Sequence, residues 1–414
     1  MSRLERLDAY LREFESVVED AREDDAGLWW RLRESAFYAT GGGQPHDSGT
    51  LTLLGSIEAG DGAAAAWAVE DVEADDEGVW HRVTPPAGTG GSPPTPSQHV
   101  GTRVHGHIDW ERRFHHMQRH TAQHLVSQAF VRLDPEYGTR AVSLSSPDVT
   151  LDLAGEPGDE AVSAAFELVN RVAAGALPIE AFEVDEGELS AHPLRRPAKV
   201  TGRVRLVRMG DWELSACGGT HLRSSAEAMP ILALARERIR RGLVRVTFRA
   251  GLEAVAHANA TQASAAEAAR ALSSSLQDLP GRVNALLEEA SSARRALSHA
   301  RAALARARAE ALAPGPAGVV AVQLSAEEGD LATDLADALA ERGVSAVVGA
   351  QQGDKAFLVL ASGAGADVRP ALKAGLELIA GRGGGKPERA QGAGPDPAAL
   401  EAAIAAAENV LKGD

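Results

Sequence analysis

Arg119-His120-Thr121-Ala122-Gln123-His124-Leu125, answered far along the chain by Ser215-Ala216-Cys217-Gly218-Gly219-Thr220-His221, is the pairing from which the fold is read. His120 and His124 stand four apart in an apolar-periodic run (Ala122, Leu125, Val126, Ala129, Phe130), so the run reads as a helix. Residues one turn apart share a face, and both imidazoles can grip one ion. Cys217 is the only cysteine, and His221 follows it by four across a Gly-Gly turn that lets the backbone fold tightly. Either half alone has a plain reading, as chance helical spacing or as a small buried thiol. Together, three imidazoles and one thiolate form a borderline-soft donor set that suits Zn²⁺ better than Mg²⁺ or Ca²⁺.

Composition bounds the rest. At 414 residues the chain has room for about two or three domains. Hydrophobic residues make up 44% and aromatic ones only 4%, which foretells helices packed through small side chains. The start, Met1-Ser2-Arg3-Leu4-Glu5-Arg6, is charged and unlike a signal peptide. No apolar run nears the roughly 18 residues that a membrane helix requires. One cysteine excludes an internal disulfide, and a reducing cytoplasm is the expected compartment. A net charge of −16 argues against indiscriminate nucleic-acid binding. The charge is uneven, however. Arg195, Arg196, Lys199, Arg203, Arg205 and Arg208 precede the metal cysteine, and Arg236, Arg238, Arg240, Arg241, Arg245 and Arg249 follow it. Singly these read as solvated faces; as two clusters they favour a focused anionic partner.

Residues 1–110 read as a β-rich, barrel-like subdomain with strands over 11–18, 28–33 and from 49. Within it, Phe37-Tyr38-Ala39-Thr40-Gly41-Gly42-Gly43-Gln44-Pro45 is a loop whose glycines permit close backbone approach to a ligand or another segment. Residues 85–98, rich in Pro and Gly, read as a surface loop. Residues 111–252 hold the metal helix, strands over 141–145 and 149–153, an amphipathic helix over 162–173, and strands over 178–183 and 200–207 that lead to Cys217. This order gives an α+β domain in which chain-distant elements close one site. His116, four before His120, reads as solvent-facing or as a support to the ligands.

Residues 253–313 change character: Val283, Ala290, Leu297, Leu304 and Ala311 recur every seven, with Leu286, Ala293, Ala300 and Ala307 between them. Leu279-Pro280-Gly281 separates this helix from an earlier one, which predicts an antiparallel helical hairpin closed by its Ala-rich seam. Residues 314–414 alternate strand and helix as a small α/β domain. Its stretch 381–394 carries Gly385-Lys386, but Pro387 stands where a phosphate loop needs Ser or Thr, which argues against a nucleotide hydrolase.

His-Thr-Ala-Gln-His and Cys-Gly-Gly-Thr-His resemble the paired zinc motifs of the alanyl-tRNA synthetase editing domain and its AlaX-type relatives. Phe37 to Pro45 resembles the glycine-rich motif that this family places beside its zinc. Residues 381–394 resemble the glycine-rich signature of the synthetase's C-terminal domain, with Arg382 as a departure. The Asp-His-His sequence of the related phosphoesterases is absent, and no segment is left over for an aminoacylation domain.

The resemblance implies a long-form AlaX protein that hydrolyses seryl- or glycyl-tRNA(Ala) in trans, with Zn²⁺ as cofactor and the C-terminal domain helping to hold the tRNA. It implies His120, His124, Cys217 and His221 as metal ligands. Thr121 and Gln123 are the expected catalytic contacts, and Gly41, Gly42, Gly43, Gln44 and Ser143 the expected substrate contacts. Homodimerisation through the arm or the C-terminal domain is compatible with the pattern. The competing expectation is a non-catalytic tRNA-binding protein with a closed structural zinc. An unrelated zinc hydrolase lacks support, since no HExxH pair supplies a general base.

Overall fold

The structure, a computed structural model, describes residues 2–54, 66–86, 96–195, 202–313 and 318–413. Expectations for residues 87–95, 196–201 and 314–317 therefore lie outside the described residues. The chain forms two compact units, Met1–Ala265 and Ala266–Asp414.

The first unit opens on a closed barrel of β1 (Glu13–Asp24), β2 (Gly27–Leu32), β3 (Gly49–Leu54), β4 (Ala66–Ala74), β5 (Val79–Thr84) and β6 (Arg103–Ile108), in the order β1-β2-β5-β4-β3-β6. Alternation along Glu13-Phe14-Glu15-Ser16-Val17-Val18 turns Phe14 and Val18 inward, where Trp30, Leu32, Leu51, Val104 and Ile108 meet them. Closure leaves no unpaired edge. The strand expected to end at 18 runs on to Asp24, because its second half pairs with β2 while its first half pairs with β6.

β6 leads into α1 (Trp110–Leu133), capped where Asp109 accepts the Arg112 N–H at 3.1 Å. Most of α1 from Arg113 to Phe130 is buried, polar residues included. Around it lie α2 (Asp159–Ala174) and the sheet β12-β13-β8-β7, made of β7 (Thr139–Ser143), β8 (Val149–Ala154), β12 (Ile231–Arg240) and β13 (Leu243–Ala250). Met117, Leu125, Val126 and Phe130 pack there with Leu151, Phe166, Val246 and Phe248 in one cluster. A three-stranded sheet, β9 (Ile179–Asp185), β10 (Arg203–Met209) and β11 (Glu213–Ala216), ends one residue before Cys217. The β12–β13 hairpin accounts for the second arginine cluster. Its arginines are mostly neutralised at home: Arg236 binds the Pro157 carbonyl, and Arg238, Arg245 and Arg249 pair with Glu156, Asp152 and Asp148. Only Arg240 and Arg241 of that cluster lack such a partner among the described residues, which narrows the expected anion-facing surface.

After α3 (Gly251–Ala271) comes α4 (Leu279–Leu312), as the break at Pro280 predicts. The hairpin expectation needs correcting. The predicted seam of α4 is exposed throughout, with Leu297 at 52% and Leu304 at 56%. Its packed face is instead Ala305 and Ala309, buried with Leu335 and Leu339 of α5 (Ala332–Glu341). The alanines do serve close helix packing, but against a helix of the C-terminal domain.

That domain is a five-stranded sheet in the order β14-β15-β16-β18-β17. Its strands are β14 (Val319–Leu324), β15 (Ser345–Gln352), β16 (Lys355–Ser362), β17 (Arg382–Lys386) and β18 (Arg389–Gly394). Helices α6 (Arg369–Leu378) and α7 (Leu400–Lys412) complete the domain. The glycine-rich stretch is thus a hairpin rather than a loop, with Gly383 to Gly385 on the edge strand. Among the described residues no helix is long and apolar enough to cross a membrane.

Candidate metal centre

His120 and His124 project from the middle of α1, and Cys217 and His221 follow β11; their ligand atoms all lie within 4.8 Å of one another. Cys217 Sγ stands 3.3 Å from His120 Nε2 and 3.3 Å from His221 Nε2. A tetrahedral ion held at about 2.0–2.3 Å separates its ligands by about 3.3–3.8 Å. The cluster therefore fits a single metal ion.

Each imidazole is fixed by a partner on its other nitrogen. His120 Nδ1 donates to Gln44 Oε1 at 2.8 Å, His124 Nδ1 donates to the two Glu213 carboxylate oxygens at 3.1 and 3.2 Å, and His221 Nδ1 shares a hydrogen bond with the Thr121 hydroxyl at 3.3 Å. Gln44 Oε1 and the Glu213 carboxylate can only accept, so Nδ1 of His120 and of His124 carries the proton in these bonds and Nε2 is left for a metal. Burial alone would raise the Glu213 carboxyl, but His124, Arg195 and the Ser215 hydroxyl outweigh it and hold its pKa at about 2. Burial likewise opposes the Cys217 thiolate, yet His120 and His221 keep the thiol well below its usual value. His221 is pushed down to about 3, by burial first, which keeps it neutral. Burial opposes the charge on His124, but Glu213 and Cys217 outweigh it and raise its pKa to about 10. His124 therefore gives up a proton on binding an ion, since a thiolate and neutral imidazoles are the ligand-competent forms.

The glycine loop is the structural reason that His120 is in place. Gly42 and Gly43 have φ of +58° and +86°, the two positive values of a hairpin turn closed by reciprocal Gly41–Gln44 backbone bonds. That turn points Gln44 inward, where it is fully buried. Its Oε1 also accepts the Thr220 N–H at 3.1 Å, and its Nε2 donates to Thr220 Oγ1 at 2.8 Å. The base of the loop is pinned to α1 by Asp47 and Arg113, both fully buried, with Asp47 Oδ1 2.9 Å from Arg113 Nε. On the other side, Gly219 is a steric requirement: a Cβ there would collide with the His120 ring and stand 2.9 Å from Gln44 Oε1. Arg205 Nη1 holds the Cys-Gly-Gly turn by donating to the Cys217 and Gly219 carbonyls at 2.8 and 2.9 Å. This arginine thus serves the turn rather than an outside anion.

The four expected ligands come together, and the expected contacts around them divide. Thr121 is fully buried and supports His221, also accepting the Leu222 N–H at 3.2 Å. Gln123 Nε2 donates to Ser127 Oγ one turn along, at 2.8 Å. Gln44 spends its amide on His120 and Thr220. Gly42, Gly43 and Ser143 are exposed, and the Cβ position of Gly43 lies 3.9 Å from the Val142 carbonyl. His116 is not solvent-facing: it is 5% exposed. Sequence reasoning missed Glu213. Its signal was an acid between Trp212 and Leu214 on a strand that is buried on both faces.

Taken together, the barrel, α1 and the sheets around it form one unit carrying a four-residue candidate metal site, and a small α/β domain follows it in the chain. Residues 204–247 match the family described as the threonyl and alanyl tRNA synthetase second additional domain, and residues 315–413 match the DHHA1 domain. An alanine–tRNA ligase of Methanothrix thermoacetophila is 32% identical over 390 residues, 90% of this chain and 40% of the ligase. One from Pyrobaculum neutrophilum is 33% identical over 399 residues, 93% of this chain and 42% of that one. A Nocardioides ligase is 30% identical over 394 residues, 90% and 42% respectively. The chain spans about two fifths of the length of these relatives. The chain is thus similar to alanine–tRNA ligases over about nine tenths of its own length, and two of its segments match domains found in such synthetases.

Proposed function

We propose that the chain is a zinc-dependent deacylase that hydrolyses the ester of seryl- or glycyl-tRNA(Ala), acting in trans. The observation that carries this reading is the quartet of ligand atoms within 4.8 Å, with a hydrogen-bond partner on the Nδ1 of each imidazole, in a chain similar to alanine–tRNA ligases. The N₃S donor set favours Zn²⁺, which when bound polarises an ester carbonyl and lowers the pKa of water.

The protein's own groups bind and orient. Gly41 to Gly43 and the exposed Ser143 are the proposed substrate contacts, since a turn without side chains lets the terminal adenosine approach its backbone. Gln44, Thr121 and Glu213 act through the ligands that they orient. Gln123 stays a proposed catalytic contact, reaching substrate only by leaving Ser127. Preference for serine over alanine requires a hydrogen bond to the seryl hydroxyl, because a site built around that group penalises its absence strongly.

A second reading has one specific support: four protein ligands fill a tetrahedral shell, as in structural zinc sites. It describes a tRNA-binding protein without turnover. Serine-, glycine- and alanine-charged tRNA(Ala), incubated side by side with the chain and with Cys217→Ala, separate the two. Release of serine or glycine that the variant loses supports the deacylase; tight binding with no release from any of the three supports the structural zinc.

A further inference from the structure

A cavity of about 370 Å³ opens beside the first half of α1, lined in part by Pro45, Arg112, His115, His116, Arg119 and Ser145. His116 is 5% exposed, yet neither of its ring nitrogens has a hydrogen-bond partner. A buried polar group without a partner is costly, so its presence beside a cavity calls for a partner from outside.

The surroundings say which kind. Arg112 donates Nε to the His46 carbonyl at 3.0 Å, while its two terminal nitrogens and both nitrogens of His115 have no partner among the described residues. Arg119 is paired with Glu253, which leaves Arg112 as the lining cation without an acidic partner. Burial first, then Arg119, Arg112, His46 and His115, pushes the pKa of His116 down to about 3. The lining acids pair with neither the Arg112 guanidinium nor the two histidines. Asp109 caps α1 and accepts the Ser48 hydroxyl at 3.1 Å, and Glu111 is exposed and pairs with none of them.

We propose that this cavity is a phosphodiester subsite, in which Arg112, His115 and His116 hold the backbone phosphate nearest the charged 3′ end of the RNA. His116 stands one helical turn, about 6 Å along the axis, before the metal ligand His120. A single ribose separates a 5′-phosphate from the ester oxygen on its 2′ or 3′ carbon. One nucleotide therefore bridges the subsite and the metal centre. Its alignment with an ester rests on the deacylase reading above; the recognition of phosphate does not.

Calorimetric titration of the zinc-loaded full chain with adenosine 5′-monophosphate, adenosine and inorganic phosphate tests the subsite. The monophosphate is expected to bind about tenfold or more tightly than adenosine, as fits hydrogen bonds to a charged group. His116→Leu and the half-exposed Arg112→Gln should each abolish that preference while zinc stays at one per chain. Equal affinity for monophosphate and adenosine, or a preference that survives both substitutions, overturns the proposal. Inorganic phosphate binding as tightly as the monophosphate assigns a free-anion site and overturns the backbone assignment. A chain that releases no amino acid but keeps the preference, lost in both variants, refutes the deacylase reading and leaves the phosphate subsite standing.

Discussion

Gln44 Oε1 lies 2.8 Å from His120 Nδ1 across 76 positions of sequence, so the glycine loop of the barrel sets the tautomer of a metal ligand on α1. Replacing Gln44 by Ala leaves the His120 N–H and the Thr220 N–H unpaired in a buried site. Groups that orient metal-bound histidines typically contribute about 10–100-fold to affinity or activity. Gln44→Ala is expected to weaken zinc binding by that factor, measured by competition with a chelating dye, with the far-ultraviolet dichroism unchanged.

Glu213 carries a heavier load. It accepts from His124, from Arg195 Nε at 2.5 Å and from the Ser215 hydroxyl at 2.5 Å, all in a buried setting. Glu213→Gln removes the anion, leaving Arg195 without its counter-charge and the His124 Nδ1–H without a carboxylate acceptor. Breaking a buried pair in this way costs about 3–5 kcal/mol. Urea unfolding at saturating zinc should show a loss of that order, and a loss under about 1 kcal/mol would mean that the network is not buried in solution.

Gly219→Ala tests sterics alone. The new methyl group meets the His120 ring, so His120 must move off the cluster. The variant should bind zinc with less than one ion per chain by plasma emission spectroscopy, while Gly218→Ala, which meets nothing nearby, should keep a full complement.

The barrel gives a prediction in pH. His81 is fully buried, its Nδ1–H donating to the Trp30 carbonyl at 3.0 Å and its Nε2 accepting from Ser35 Oγ at 2.7 Å. Burial pushes its pKa down to about 4 from an ordinary 6.5. The unfolded chain therefore binds the proton first as pH falls. The contribution of neutral His81 is complete above pH 6.5 and is lost progressively down to pH 4, a total of about 3 kcal/mol. His81→Phe, which cannot protonate, should flatten that part of the stability profile in paired denaturant titrations at pH 7 and pH 4.5.

The metal ligands were legible because a lone cysteine and histidines at four-residue spacing are chemically distinctive without any knowledge of the fold. The barrel was legible only in outline. Its alternating strands could be sensed at 11–18 and 28–33, but the continuation of β1 to Asp24 depends on pairing with β2. Glu213 and Gln44 escaped as supports because their roles exist only once segments 89 and 76 residues apart are packed together. Periodicity misled at α4: the heptads of Val283 and Leu286 predict a packed seam, yet helix packing there is decided by Ala305 and Ala309 against α5. The arginine clusters misled similarly, because a charge count along the chain cannot see Asp148, Asp152 and Glu156 on neighbouring elements.

The proposed role of the His120, His124, Cys217 and His221 cluster is that of a zinc centre at which a mischarged tRNA ester is hydrolysed. Its most direct test is the rate of serine release from seryl-tRNA(Ala) as zinc is stripped from the chain and then restored. The rate is expected to fall to background with zinc content and to return in proportion to it. Full activity with zinc at undetectable levels would contradict that role.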